Sequence, residues 1–536
     1  MWLASLAREL VGVEYSSVAG AFVYRDADRR PNGMTKLTHL VDLAAQRLGG
    51  AVLAANDEFF APKENLLKPE RAVFLPDKYT DLGKWMDGWE TRRRRTPGHD
   101  WCIVRLGLPG VPRSIVVDTA FFRGNYPSHC SLDASGALDA PAIEGLTWDP
   151  LLPQSELRGD AENVFATDAP YRVTLLRLNI FPDGGVARLR VLGEALPDWR
   201  QVLADPGAIN LADVALGAHI VDASDRFFGE PANMLMPYRA ANMGDGWETK
   251  RRRGPGHDWV LIRLATEGTI SRIELDTAHF KGNYPESCSI EAAVVEELAG
   301  TVSADLTSTV IGDWKAVVPR TPLQPDHLHV FEPAVAGMPA THVRLNIFPD
   351  GGVSRLRILG VPTALGRQRA VLRFLNSLGD HQVGVVLADF CAAPTWIEKV
   401  AAARPFASAA ALIAAADRAS DALDRSEWLE AFRHHPRIGG HVAEREQSDL
   451  ARRASANEQA LVGRAPSAEL DELARLNRAY EDRFGHVFIV SAAGRGTDEI
   501  LGLLRDRLKN DPAAEIAVAA GEQRRITRLR LEKLLG

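Results

Sequence analysis

Between residues 50 and 360 the apolar positions come in short runs. WCIVRL, SIVVDTAFF and VTLLRLNIF are rich in β-branched and aromatic residues and are bounded by PGH, PGVP, GNYP and PDGG clusters. That texture predicts short strands joined by tight turns. From about residue 366 the period changes. WIEKVAAARPF, ASAAALIAAADRASDALD, SAELDELARLNRAYEDRF, TDEILGLLRDRLKN and GEQRRITRLRLEKLL carry apolar residues at i, i+3, i+4 and i+7, which places them on one face of a helix. Ser426, Ser467, Thr497 and Asp511 stand where N-caps are expected. The pattern predicts two architectures in one chain, a β-sandwich region followed by an all-α region.

The β pattern occurs twice. DGWETRRRRTPGHDW at 87–101 returns as DGWETKRRRGPGHDW at 245–259, and DTAFFRGNYP at 118–127 returns as DTAHFKGNYP at 276–285. Over Asp87–Ser131 against Asp245–Ser289 there are 27 identities in 45 positions, and RLNIFPDGGVARLRVLG returns at 344–360 with 15 of 17 identical. The offset grows from 158 to 167 between these blocks, so copy two carries a nine-residue insertion there. Copy one carries a ten-residue insertion between DEFF at 57–60 and DGWE. A unit of this length repeated twice is a tandem domain duplication, since solenoid repeats are roughly 20–50 residues long. The expected organisation is an unassigned extension at 1–33, repeats at 34–200 and 201–365, and a helical domain at 366–536. The run RDADRRPNG before Met34 further suggests that the natural chain starts at Met34.

Composition narrows the function classes. The 536 residues are 46% hydrophobic and 25% charged with a net charge of −7, and no run of 18 apolar residues occurs. There is no basic excess to attract nucleic acid or an anionic membrane, and no membrane-spanning segment is expected. Cys102, Cys130, Cys288 and Cys391 are too few and too scattered for a disulfide framework, which favours a cytoplasmic location; small-molecule partners and a homo-oligomer are expected besides.

In each copy the turn-rich segments gather charged groups, Glu90, Arg94, His99 and Asp100 answered by Glu248, Arg252, His257 and Asp258. Consecutive arginines suit a small carboxylate, because guanidinium forks bind carboxylates bidentately while a neighbouring His, Asp or Glu moves protons. The bland reading is turn chemistry and ion pairs between strands; Trp89, Trp101, Trp247 and Trp259 read as core. An HD dipeptide is a weak metal signal, so no metal is predicted. The doubled set DEFFAPKENLL, DGWETRRRR, GHDW, DTAFFRGNYP and LNIFPDGGVARLR resembles the allantoicase family. That resemblance implies two jelly-roll-like repeats over about 40–365 that hydrolyse allantoate to ureidoglycolate and urea, with a divalent metal left open. The alternative is a ligand- or carbohydrate-binding double jelly roll with a helical interaction domain.

In the helical region His435 directly precedes Pro436. Proline disfavours helix at the preceding residue, so a helix ends there and presents a histidine able to titrate near neutrality. Ser455, Glu458 and Gln459 are spaced to share one helix face. TWIEKVAAARPF, HHPRIGG, SANEQ, FGHVFIV and ITRLRL, in that order, resemble the 2-oxo-4-hydroxy-4-carboxy-5-ureidoimidazoline (OHCU) decarboxylase family. The resemblance implies His435 as proton donor, Glu458 as a further catalytic group, and Pro436, Ser455, Gln459, the strand-like stretch with Ile489 and Val490, and Arg530 as substrate-binding residues. Arg437 departs from the family pattern at the pocket rim. No cofactor is expected, because the electrons left by departing CO2 delocalise into the substrate's own ring.

Overall fold

In the computed structural model the described residues are 40–138, 143–205, 207–295, 313–438 and 466–536, with Arg452 and the short strands Ser16–Val18 and Ala21–Val23. Two compact units result: one runs to Pro197 and from Pro206 to Gly366, the other holds Asp198–Asp205 and Arg367–Gly536.

The first unit contains both β repeats. Each is organised around a 19-residue strand, Asp100–Asp118 in copy one and Asp258–Asp276 in copy two. The N-terminal half of Asp100–Asp118 pairs with Ala51–Ala55 and Val173–Phe181, the C-terminal half with Glu162–Ala166 and Arg188–Ala195. Because its neighbours change midway, the strand passes from one layer of a sandwich to the other. At the switch the residue is glycine in both copies: Gly110 pairs with Val173 and Ala195, and Gly268 with Ala340 and Pro362. A Cβ on Gly110 would lie 2.2 Å from the Glu194 carbonyl oxygen, so only glycine lets both neighbours approach.

The core follows from alternation along these strands. Val104, Ile115, Val117, Leu178 and Ile180 are buried in copy one, and Ile262, Ile273, Leu275, Leu345 and Ile347 in copy two. Trp89 and Trp247 are core as expected, each donating its indole N–H to a carbonyl, Asp57 at 2.8 Å and Asp225 at 2.9 Å. Trp101 and Trp259 correct the expectation. They are only half-buried, because the strand's alternation turns them to the outer face.

The copies differ where their insertions differ. Copy one's extra segment carries a hairpin, Tyr79–Thr80 with Gly83–Lys84, and Phe74 from this segment stacks on Phe121 at 5.7 Å. Copy two has His279 at that place, and its Nε2 meets the Ala240 carbonyl at 2.9 Å. Both residues adopt a left-handed backbone (φ 67° and 69°) held by the carboxylates of Asp160 and Asp326. The Phe/His difference therefore tracks a different covering segment. Copy two's own insertion falls between Ser289 and Arg344, a stretch in which residues 296–312 lie outside the described residues.

Among the described residues the second unit holds the short helix Trp199–Val202, most of Ala364–Asn376, and the helices Asp380–Ala388, Pro394–Ala402, Ala409–Asp421, Arg425–Arg433, Ser467–Phe484, Thr497–Arg507 and Pro512–Leu535. Asp511 caps the last as expected, accepting from the Ala513 amide. The other three expected caps fall inside their helices. Asp424, not Ser426, caps Arg425–Arg433 through a capping box with Glu427; Pro466 and Gly496 precede Ser467 and Thr497. Aspartate wins over the nearby serine because its carboxylate also meets the positive end of the helix dipole. Apolar faces converge on Leu473, Tyr480, Phe484, Phe488, Ile500 and Leu504.

Candidate active sites

His434 is the C-cap of Arg425–Arg433, and Pro436 stops the helix from continuing. This separates the histidine doublet. His434 is exposed and its Nδ1 meets the Glu430 carbonyl at 3.2 Å, whereas the half-buried His435 ring faces Gln523 and Arg530. Burial, reinforced by the positive charge of Arg530, pushes the His435 imidazole down to about 3. The ring is neutral throughout the physiological range.

Gln523, Thr527 and Arg530 lie at i, i+4 and i+7 of the C-terminal helix, hence on one face. That face grips the end of Asp380–Ala388. The Thr527 hydroxyl donates to the Phe390 carbonyl at 3.0 Å and Arg530 Nη1 to the Asp389 carbonyl at 3.1 Å. Gln523 Nε2 donates to Thr527 Oγ1 at 3.2 Å, while its buried Oε1 has no hydrogen bond of good geometry among the described residues. Gln523 was missed in the sequence; its signal is a polar residue recurring on the same face as Arg530.

The stretch holding Ile489 and Val490 is buried but forms no strand and pairs with none among the described residues, which corrects the strand-like expectation. Side chains fix it instead. Arg507 Nη1 donates to the Ile489 carbonyl at 2.7 Å, and Glu522 accepts from the Ser491 amide at 2.8 Å. Arg507 is itself held by a 2.6 Å ion pair with Glu515, a carboxylate with no exposed surface that also accepts from Tyr480 and Asn510. At the rim Arg437 makes two bonds to Glu481, at 2.7 and 2.6 Å. Ser455, Glu458 and Gln459 lie outside the described residues.

In each β repeat the candidate residues divide into two groups. One gathers at the turns. Glu90 accepts from Asn125 at 2.7 Å; the Arg94 amide donates to Asp183 at 2.8 Å and its Nη1 to Asp100 at 2.7 Å. Copy two repeats this with Glu248 and Asn283, and with Arg252, Asp350 and Asp258. Arg94 and Arg252 are thus committed to Asp100 and Asp258, although Nε of each is buried without a partner among the described residues. Arg93, Arg95, Arg251 and Arg253 are exposed. Burial raises the Glu90 carboxyl above the ordinary range, against the opposing effect of Asn125. The other group is the histidine, which stands apart from Asp100 on Phe181: His99 lies 4.8 Å from that ring, and His257 4.6 Å from Phe348. Asn125, Asp183 and their counterparts were passed over in the sequence because GNYP and PDGG read as turns. Among the described residues no group of three or more His, Cys, Asp or Glu is placed to hold a metal ion.

The family model described as allantoicase repeat matches residues 41–196 and 209–363, and that described as OHCU decarboxylase matches 376–532. A probable allantoicase of Burkholderia pseudomallei is 49% identical over 332 residues, covering 62% of this chain and 97% of its own. The allantoicase of Dictyostelium discoideum is 43% identical over 343 residues, covering 63% and 91%. A crystal structure of OHCU decarboxylase in the presence of (S)-allantoin is 28% identical, covers 28% of this chain and 97% of its own, and has a TM-score of 0.25.

Proposed function

This chain belongs to the allantoicase family and carries an OHCU decarboxylase domain after its two repeats, and from that premise we propose how its residues run two reactions. It is a bifunctional purine-catabolic enzyme: it hydrolyses allantoate to ureidoglycolate and urea, and decarboxylates OHCU to (S)-allantoin.

The observation that carries the decarboxylase assignment is the neutral His435 ring set between Arg530 and Gln523. Departure of CO2 leaves electrons conjugated with the ring, and completing the product requires a proton delivered to carbon from one side. A neutral imidazole accepts and returns protons at a fixed edge, and Arg530 anchors an anionic group of the substrate. Ile489, Val490 and Pro436 shape the pocket; Ser455, Glu458 and Gln459 are assigned to it from their spacing.

For allantoate, the departing ureido nitrogen needs an acid and water needs a base. Glu90 or Glu248 supplies the acid and His99 or His257 the base, with the Arg94–Asp100 and Arg252–Asp258 pairs bracing the turns. We assign no cofactor to either step. A reducing, cytosolic setting fits the four buried cysteines, none of them in a disulfide. The test is the purified full chain assayed for urea from allantoate and for stereospecific (S)-allantoin from freshly generated OHCU, before and after dialysis against chelator. Both activities are expected in both states; an inert chain would sink the assignment.

A further inference from the structure

Each repeat has an outer sheet face whose residues the turn cluster does not use. Asn179 lies opposite Trp101 and Ser131, and Arg177 opposite Asp133. In copy two Asn346 lies opposite Trp259 and Ser289, and Arg344 opposite Glu291. The asparagine is clamped identically in both: Asn179 Nδ2 donates to Asp133 at 2.9 Å and Ser131 Oγ at 3.1 Å, Asn346 Nδ2 to Glu291 at 3.1 Å and Ser289 Oγ at 3.2 Å. A carboxylate only accepts, so it fixes which end of the amide faces it and leaves Oδ1 on the other side.

What meets that oxygen differs between the copies. In copy two His257 Nε2 lies 3.2 Å from Asn346 Oδ1, so the acceptor is satisfied and the histidine is committed as its donor. In copy one Asn179 is only 4% exposed, yet its Oδ1 has no hydrogen-bond partner among the described residues. His99 rests on Phe181 as His257 rests on Phe348, but without the corresponding bond. Buried acceptors are seldom left unpaired in native proteins, and an exception marks a place where a partner is expected. Copy two shows the chemistry of that partner: an N–H donor. Arg177, next on the same face, brings a guanidinium held by Asp133 at 2.8 Å.

We propose that Asn179 Oδ1 of copy one accepts a hydrogen bond from a ureido N–H of allantoate, making copy one the working hydrolytic site and copy two, closed by His257, a non-catalytic one. This rests on the allantoate-hydrolysing reading above. Within it, Asn179 is the specificity-determining acceptor, Arg177 meets the substrate carboxylate, and His99 keeps its ring free to move protons.

The experiment compares Asn179→Leu and Asn346→Leu in the full chain, measuring kcat and KM for urea release, OHCU decarboxylation as a control for the intact chain, and inhibition by ureidoacetate, which carries one ureido group and one carboxylate. Asn179→Leu is expected to lower kcat/KM for allantoate about tenfold or more, chiefly through KM, and to weaken ureidoacetate by a similar factor. Asn346→Leu is expected to stay within about twofold of wild type. Should Asn179→Leu fail to fold, Asn179→Ser removes the same acceptor with a smaller side chain and is read the same way. Equal losses in both copies, loss only with Asn346→Leu, or no loss in either overturns the proposal. A wild-type chain that releases no urea overturns the underlying reading instead.

Discussion

His435 owes its chemistry to the two side chains its ring faces, which lie about ninety residues further along the chain. Burial and Arg530 both disfavour the imidazolium, so the group that binds a proton near pH 6.5 when unfolded binds one only near pH 3 when folded. Between these values the unfolded chain holds more protons, and the contribution of this residue to stability is full above about pH 6.5 and lost as pH falls towards 3. In NMR titration the His435 ring should stay neutral well below pH 5, and Arg530→Gln should move its pKa upward. A normal pKa near 6.5 in the wild type would remove the physical basis for the assignment. That a histidine before proline ends a helix was legible locally. That Gln523 faces it was not, because nothing in a single helical segment says which of its polar residues will meet a distant ring.

At the scale of elements, the repeated motif blocks predict matching strands in the two copies, and a 19-residue strand recurs in each. The β/α division was legible because periods of 2 and 3.6 are local properties of a chain. Helix starts shifted by one or two residues where serine and threonine competed with Asp424, Pro466 or Gly496. The PDGG turns were read as turn chemistry, yet the second glycine also answers to the core. A Cβ on Gly185 would fall 1.9 Å from the buried Phe122 ring, and one on Gly352 2.0 Å from Phe280. Each ring is fully buried and has nowhere to move. Gly185→Ala and Gly352→Ala should each destabilise the β unit by about 1–3 kcal/mol in chemical denaturation, with the helical unit unaffected. A neutral result would mean the rings are not close-packed.

At the scale of the whole molecule, two reactions sit on two compact units. His435 and its partners all belong to Arg367–Gly536, and the acid–base candidates for allantoate all lie in the β unit. Substituting His435 by alanine in the full chain should therefore abolish (S)-allantoin formation and leave urea release from allantoate within about twofold. Loss of both from a chain that still folds would show that the sites are not independent. The sequence by itself determined the duplication, the change from β to α texture and the family, since periodicity, turn residues and motif order are properties of neighbouring positions. Only the tertiary structure decided that Arg94 is spent on Asp100, that His99 leaves the turn cluster for the sheet face, and that among the described residues Asn179 Oδ1 lacks the histidine donor that Asn346 has. Such pairings depend on side-chain directions across separate strands, where identical segments such as GHDW and RLNIF settle into different hydrogen bonds in the two copies.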